Sequence, residues 1–312
     1  MTRILITGAG GMVGRTLLEE LAATDHEVIA TDLAAPPDLP ANARFARMDV
    51  TGGDPARVIT TERPEVVVHL ASIVTPPPGL GRDFAYRVDV DGSRHVLDAA
   101  LAAGTRRLVV TSSGAAYGYH ADNPAWLSES DPLRGNREFA YADHKRQVEE
   151  MLAEARQSHP QLEQVVLRVG TVLGEGTDNQ ITALFRRPRL LAIRGSASPF
   201  VFIWTRDLAR ILLRAATGGP AGIYNVAGDG ALDMAELARR LGKPLLTLPA
   251  CAVKAALGIA HPLGLSRYGP EQVRFLQYRP VLDNSALKRD FGYIPAKTSA
   301  ETFAGWQRWA GL

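Results

Sequence analysis

Three glycines near the start of this chain constrain its fold more than any other feature. They follow the apolar run Ile4-Leu5-Ile6 and precede residues with the apolar spacing of a helix. In such a motif the first glycine permits a tight turn, the second lets the backbone approach a bound group, and the third lets the helix pack on its strand. Free N–H groups at the start of the helix favour phosphate. The residues predicted to form this phosphate site are Gly8, Gly11, Met12, Val13 and Gly14.

An acidic residue extends the same pattern. Asp32 ends the second predicted strand, 18 residues after Gly14. A carboxylate at this distance accepts hydrogen bonds from the adenosine ribose of a dinucleotide and repels a 2′-phosphate. The glycine turn and Asp32 together predict a site for NAD rather than NADP.

Strand and helix patterns alternate up to about residue 170. The predicted strands are 4–7, 27–32, 44–48, 66–70, 108–111 and 165–168, and the longer helices are 12–23, 84–103 and 139–157. This alternation predicts an α/β fold of the Rossmann type, a doubly wound parallel sheet covered on both faces. Residues 1–170 are the predicted NAD-binding domain. Residues 171–312, with short helices at 207–216, 233–241 and 301–309, are predicted to be mainly a substrate-binding region interleaved with the sheet.

A second cluster carries chemistry. Tyr141 and Lys145 stand four residues apart, and therefore on one face of a helix, about 28 residues after Ser113. An ammonium beside a phenol favours the phenolate and makes it a proton acceptor suited to the oxidation of an alcohol. The pair predicts acid–base chemistry next to the dinucleotide.

Composition narrows the class of protein. The chain has 312 residues, 46% of them hydrophobic, a net charge of +2 and one cysteine, Cys251. These values are typical of a globular enzyme and do not point to nucleic acid or to an anionic membrane. The single cysteine and the lack of a signal peptide pattern favour the cytoplasm. His69, His144 and Cys251 lack metal-ligand spacing, so no metal is predicted.

These motifs, in this order, resemble the extended short-chain dehydrogenases/reductases, in particular the NAD-dependent epimerase/dehydratase family and its UDP-glucose 4-epimerase-like members. The resemblance extends over nearly the whole chain. The segments that carry it beyond the glycine turn are Ser112 to Gly118, Tyr141 to Lys145, Leu167 to Gly174, Phe202 to Trp204 before Asp207, and Asp283 to Arg289 before Phe291 to Pro295.

The resemblance implies roles for particular residues. Ser113 corresponds to the catalytic serine that holds the reacting oxygen, Tyr141 to the acid–base group, and Lys145 to the residue that tunes Tyr141 and binds the nicotinamide ribose. Thr111 and Ser112 have weaker claims than Ser113. Further contacts with the cofactor are implied for Asp49, Val50, Leu70, Ala71 and Ser72.

The sequence also departs from the family pattern. Asp89 stands where relatives often have Asn, and Gly170-Thr171 follows the sixth strand where many have Asn. Phe200 replaces an Arg that grips the diphosphate of a nucleotide sugar, and Arg279 lies too close to Asp283 to match the second such Arg. The residues predicted to contact substrate are Ser113, Tyr141, Thr171 and Phe200. Phe200, Phe202 and Trp204 fit an apolar substrate wall and a core strand equally well.

The function expected from these motifs is NAD-dependent hydride transfer at a carbinol carbon of a sugar or nucleotide sugar. One alternative is a dehydrogenase of an apolar hydroxy compound, similar to 3β-hydroxysteroid dehydrogenases, which Phe200 favours. Another is a non-catalytic NAD sensor. The family resemblance implies a homodimer packed through helices 84–103 and 139–157. His144 is expected to be exposed rather than catalytic.

Overall fold

A parallel sheet of seven strands organises the part of the chain that the structure describes. The structure is a computed structural model and describes residues 1–74, 76–77, 79–266 and 269–312. The strands lie in the order β3-β2-β1-β4-β5-β6-β10, and all the pairings are parallel. They are β1 (Arg3–Thr7), β2 (Glu27–Asp32), β3 (Ala43–Arg47), β4 (Val66–His69), β5 (Arg107–Ser113), β6 (Glu163–Val169) and β10 (Gly222–Val226).

This strand order confirms the predicted doubly wound fold. From β1 the chain adds β2 and β3 on one side, and then β4, β5 and β6 on the other side. The order of the strands thus reverses between β1 and β4, and a crevice opens beyond the carboxyl ends of these two strands. Side chains of each strand alternate between two apolar layers: Ile4 and Ile6 pack in one, and Leu5 packs in the other. Burial on both faces explains why these strands appear in the sequence as continuous apolar runs.

Helices cover both faces. One layer contains α1 (Met12–Leu21), α7 (Thr205–Thr217) and α11 (Ser285–Arg289). The other contains α2 (Asp54–Glu62), α4 (Gly92–Ala102) and α5 (Ala140–Ser158). The boundaries of α1, α5 and α7 lie within three residues of those predicted.

The helix predicted over 84–103 is interrupted. It consists of α3 (Arg82–Tyr86), a π-helical segment (Arg87–Asp91) and α4, in direct succession. The π-helical segment turns Asp89 and Val90 into the protein interior. Segments of this kind are frequent at functional sites, and Asp89 in this one bonds to Ser72 and Ile73, which follow β4.

The carboxyl-terminal part forms a smaller layer beside the sheet. Strand β7 (Thr171–Leu173) pairs with β9 (Phe202–Trp204), and β8 (Leu190–Ile193) pairs with β11 (Leu245–Leu248). Their helices are α6 (Gln180–Arg186), α8 (Met234–Leu241), α9 (Ala250–Ala260), α10 (Gln272–Gln277) and α12 (Ser299–Trp309). An aromatic core of Phe185, Phe202, Phe303 and Trp306 holds this layer together. The predicted boundary between an NAD-binding domain and a substrate-binding region at residue 170 stays a prediction. Helix α7 and strand β10 come after this position and pack with the main sheet.

Helix α9 is an apolar stretch of the sequence, interrupted by Lys254. Val253 is its buried residue, and most of its other side chains are exposed. Among the described residues, no helix combines the length and the apolarity that crossing a membrane requires.

Candidate functional site

The turn between β1 and α1 has the geometry that its glycines predict. Gly8 has φ 68°, and a Cβ atom there would lie 2.8 Å from the backbone nitrogen of Ala71. A Cβ atom on Gly14 would overlap the carbonyl oxygen of Gly8. Gly11 caps α1 without a side-chain hydrogen bond, so the first N–H groups of the helix remain available to an anion.

Asp32 lies beside this turn. Its Oδ2 atom accepts a hydrogen bond from the Gly10 backbone nitrogen at 2.9 Å, and Oδ1 accepts one from Leu33 at 2.7 Å. The carboxylate is thus held at the carboxyl end of β2, next to the phosphate-binding turn. This arrangement fits the ribose of a dinucleotide whose diphosphate lies on α1.

The other predicted cofactor residues follow β3 and β4 at the same edge of the sheet. The Thr7 hydroxyl accepts hydrogen bonds from the backbone nitrogens of Leu70 and Ala71 at 3.1 and 3.2 Å. Asp49 accepts two hydrogen bonds from Thr51, and the Val50 carbonyl oxygen bonds to His95 at 2.8 Å. The structure brings these segments and the glycine turn to one edge, although their individual roles stay predictions.

The predicted catalytic residues meet at the carboxyl end of β5. Lys145 is buried, and its Nζ atom donates to the carbonyl oxygen of Thr111 at 3.0 Å. The same atom lies 5.6 Å from the ring centroid of Tyr141, one turn earlier on α5. Ser113 Oγ accepts a hydrogen bond from the Ala115 backbone nitrogen at 3.1 Å. That bond leaves the Ser113 O–H free to donate to a substrate oxygen.

Ser112 has a different environment from Ser113. Its hydroxyl donates to Glu149 at 2.5 Å, and Glu149 forms an ion pair with Arg168 at 2.8 Å. Arg168 also donates to the hydroxyl of Tyr117 and to the carbonyl oxygen of Glu129. Ser112 therefore belongs to a buried polar network below the site, consistent with its weaker claim to contact substrate.

The prediction that His144 is exposed is wrong. The side chain is fully buried, and Nδ1 lies 3.0 Å from Oδ2 of Asp89. The face of α5 that contains His144 packs against the π-helical segment. His144, three positions after Tyr141, therefore lies in the interior. The pattern of α5 did not reveal this because the burial depends on Asp89, a partner 55 residues earlier.

Asp89 connects the π-helical segment to helix α5 and to the residues that follow β4. Its Oδ1 atom accepts hydrogen bonds from the Ser72 hydroxyl and the Ile73 backbone nitrogen, each at 2.8 Å. Burial alone would raise the pKa of Asp89, but the His144 hydrogen bond, the nearby Lys145 charge and these two donors lower it below its ordinary value. Asp89 thus remains a carboxylate beside the catalytic helix.

A neighbouring histidine is held neutral. His69 ends β4, and its ring nitrogens bond to the hydroxyls of Thr7 at 2.8 Å and Ser93 at 2.9 Å. Burial lowers its pKa to about 3, and the Lys145 charge acts in the same direction. Among the described residues, no group of three or more His, Cys, Asp or Glu side chains could hold a metal ion.

On the substrate side, Phe200 packs in the core. It is 3% exposed and stacks on Phe202 with ring centroids 5.6 Å apart. Its backbone pairs with Leu232 in an isolated antiparallel bridge. Thr171 begins β7, and its backbone nitrogen donates to Val201 at 3.0 Å. Contact of Thr171 and Phe200 with substrate stays a prediction.

The spacing of Arg279 from Asp283 does not match that of a diphosphate-binding Arg, yet Arg279 lies against Phe200. The guanidinium carbon lies 3.9 Å from the Phe200 ring centroid, and the residue is buried. The only signal in the sequence was a lone Arg in Tyr278-Arg-Pro280 shortly before Asp283. No local pattern indicates that this segment folds back onto residue 200.

Comparison with known proteins identifies the class. The model of the NAD dependent epimerase/dehydratase family matches residues 4–227. An uncharacterized protein of Mycobacterium tuberculosis is 26% identical over 316 residues, covering 99% of this chain and 84% of its own. A 3-diazoavenalumate denitrifying reductase of a Streptomyces species is 30% identical over 284 residues, covering 85% of this chain and 91% of its own.

Among solved structures, WbmG of Bordetella bronchiseptica in complex with NAD and UDP is similar with a TM-score of 0.75 at 21% identity, covering 99% of this chain and 95% of its own. The chain belongs to the NAD-dependent epimerase/dehydratase family. It is an NAD-dependent enzyme.

Proposed function

We propose that the protein transfers a hydride between NAD and a carbinol carbon of a sugar or nucleotide sugar. The observation that carries this proposal is the position of Lys145, which bonds to Thr111 and lies beside the Tyr141 ring at the end of β5. A cation fixed next to a phenol is the arrangement that proton transfer from an alcohol requires.

Each residue has a defined task in this reaction. The Ser113 hydroxyl donates a hydrogen bond to the substrate oxygen, and the Tyr141 oxygen accepts the proton of the substrate hydroxyl. Lys145 uses one N–H for Thr111 and keeps two for Tyr141 and the ribose. Gly8 to Gly14 and Asp32 would hold NAD, which would supply the hydride acceptor. In an epimerase the hydride returns to the opposite face of the carbon, without net oxidation.

Two observations bear on the substrate. The similarity to WbmG, whose complex contains NAD and UDP, supports a nucleotide sugar. Phe200, which cannot bind a diphosphate, favours the second candidate, an apolar hydroxy compound. Aromatic side chains near Tyr141 add to that second case: the Tyr119 ring lies 5.1 Å from Phe139, which precedes α5.

Replacing Tyr141 by Phe tests the chemistry. We expect a loss of hydride transfer of about 100-fold or more, because a positioned acid–base group contributes roughly 10²–10⁴-fold. NAD-dependent absorbance change with a panel of sugars, nucleotide sugars and apolar alcohols measures it. Tyr224→Phe is the matched control, because its hydroxyl donates to the carbonyl oxygen of Ala221, just before β10, rather than to the site. Unchanged biological function in Tyr141→Phe would support the NAD sensor instead.

Thermal unfolding with saturating NAD separates the two substrate classes. A ligand at about 100 times its dissociation constant adds roughly 2.7 kcal/mol to the stability of the folded state. A rise in Tm on adding millimolar UDP would favour a nucleotide sugar. No rise would favour the apolar hydroxy compound.

We also propose a cytoplasmic homodimer. The family resemblance suggests packing through the helical stretch of α3 to α4 and through α5, which lie side by side on one face of the sheet. Gel filtration with light scattering at micromolar concentration is expected to give twice the 33.6 kDa chain mass. A monomer at that concentration would contradict the proposal.

A further inference from the structure

Arg279 is a buried cation with unused hydrogen-bonding capacity. Its Nη1 atom donates to the carbonyl oxygen of Ser198 at 2.5 Å and to the Ser198 hydroxyl at 3.0 Å. Its Nε and Nη2 atoms are buried and have no hydrogen-bond partner in the part of the chain that the structure describes. Leaving such donors unpaired costs free energy, so a buried arginine that serves only the fold is normally fully bonded.

Within the described parts of the chain, aromatic rings lie against this guanidinium and no carboxylate pairs with it. Its central carbon lies 3.9 Å from the ring centroid of Phe200 and 5.0 Å from that of Phe275. Ring faces attract a cation but accept none of its in-plane hydrogen bonds. Burial lowers the pKa of Arg279 to about 9, and the one nearby group that opposes this shift is the Tyr119 hydroxyl. The group is therefore charged at neutral pH and lacks a counterion from the described residues.

Tyr119 connects this guanidinium to the catalytic end of α5. Its ring lies 5.3 Å from that of Phe275 in α10 and 5.1 Å from that of Phe139. Burial raises the pKa of Tyr119, with the Tyr141 phenol acting in the same direction and the Arg279 charge against it. Both Tyr141 and Arg279 are thus electrostatic neighbours of the Tyr119 hydroxyl.

The two free donors define the ligand chemistry. Nε and Nη2 lie on one edge of the guanidinium, and their parallel N–H bonds match the two oxygens of a carboxylate. One unpaired cation balances one negative charge, which suits a monoanion better than a diphosphate. The surrounding rings suit an apolar or ring-shaped body.

We propose that Arg279 binds the carboxylate of the substrate and that the substrate is therefore a hydroxy acid, with its carbinol at Tyr141 and its carboxylate at Arg279. This inference rests on the proposed hydride transfer for the position of the carbinol. The binding of the carboxylate itself needs no catalysis, so it is tested separately.

Calorimetric titration of the NAD-saturated protein with matched probes tests the binding. The probes are 4-hydroxycyclohexanecarboxylate and benzoate, each compared with its primary amide. We expect the wild-type protein to bind the carboxylates more tightly than the amides and Arg279→Met to weaken carboxylate binding by at least about 30-fold, the lower range for breaking a buried charge pair. Arg279→Lys should retain part of the preference, because it keeps the charge and loses the two-donor edge.

Arg274→Met is the matched control. Arg274 lies on α10, five positions before Arg279, but is exposed and paired with Glu138 at 3.0 Å, so its variant should keep the preference. The NAD affinity of each variant shows that it is folded, and Arg279→Gln replaces any variant that fails this check.

Three results would overturn the proposal. They are equal binding of carboxylates and amides by the wild-type protein, an unchanged preference in Arg279→Met, or loss of UDP binding in Arg279→Met without any carboxylate binding. Failure of the proposed chemistry would look different: the carboxylate preference would persist while 4-hydroxycyclohexanecarboxylate and the other alcohols gave no NADH.

Discussion

Two buried arginines in this protein have opposite surroundings. Arg168 on β6 is 4% exposed and bonds to Glu149, to the Tyr117 hydroxyl and to a backbone carbonyl. Arg279 is 8% exposed, lies between aromatic side chains, and has two donors without partners among the residues that the structure describes. Burial tends to lower the pKa of both, but Glu149 more than compensates for Arg168, whose pKa is raised. The comparison separates a cation that the fold itself uses from one available to a ligand.

The largest effect is expected when the partnered arginine is removed. Arg168→Met leaves the Glu149 carboxylate buried, and the Ser112 hydroxyl is then its one remaining hydrogen-bond donor from the described part of the chain. Breaking a buried pair in this way costs about 3–5 kcal/mol. Urea unfolding should show a lower midpoint with an unchanged slope. A loss below about 1 kcal/mol would show that the network does not stabilise the fold.

An intermediate effect is expected at Asp89, whose partner His144 has one ring nitrogen, Nε2, that bonds to none of the described residues. Asp89→Asn keeps an oxygen for Ser72 and Ile73 but loses the charge, so it should cost about 1–2 kcal/mol at pH 7.

The pH dependence has a defined sign. The pKa of Asp89 is lower in the folded state than in the unfolded chain. The ionised carboxylate therefore stabilises the fold above the ordinary carboxyl pKa of about 3.9. This stabilisation is lost as the pH falls through the lower pKa of the folded state. Unfolding curves between pH 7 and pH 2 should therefore converge for the wild-type protein and Asp89→Asn in acid. Parallel curves would exclude a linked titration at Asp89.

The smallest effect is expected for the stability of ligand-free Arg279→Met. The substitution removes an unpaired buried charge and keeps an apolar side chain against Phe200, while the two Ser198 hydrogen bonds are lost. These contributions oppose one another, so we expect the free energy of unfolding to change by less than about 1 kcal/mol. A loss as large as that of Arg168→Met would show that both arginines serve the fold, and the comparison would fail.

Local patterns predicted most of the main sheet and the position of the cofactor turn. Gly14 is required by close contacts with Gly8 and Ala9 inside the same turn, so the spacing of the glycines alone indicates that geometry. Tyr141 and Lys145 are placed together by the pitch of a single helix. Such features involve residues close in sequence or strands whose apolar pattern is unmistakable.

Contacts between distant segments were not predictable in the same way. His144 was expected at the surface, because its own helix gives no sign of Asp89, and the interruption of helix 84–103 by a π-helical segment leaves no sequence pattern. Arg279 was discounted for its spacing from Asp283. Its proximity to Phe200 results from the folding of α10 onto the layer that contains β9.

The sequence by itself determined the parallel α/β fold, the NAD turn and the pairing of Tyr141 with Lys145, because hydrophobic periodicity and helical pitch act over a few residues. Only the tertiary structure decided which charges are neutralised. Arg168 on a strand meets Glu149 on a helix, whereas Arg279 pairs with no carboxylate of the described residues. Electrostatic pairing depends on distances in space. Residues far apart in the sequence, such as Ser198 and Arg279 at 81 positions, come within bonding distance only when the chain has folded.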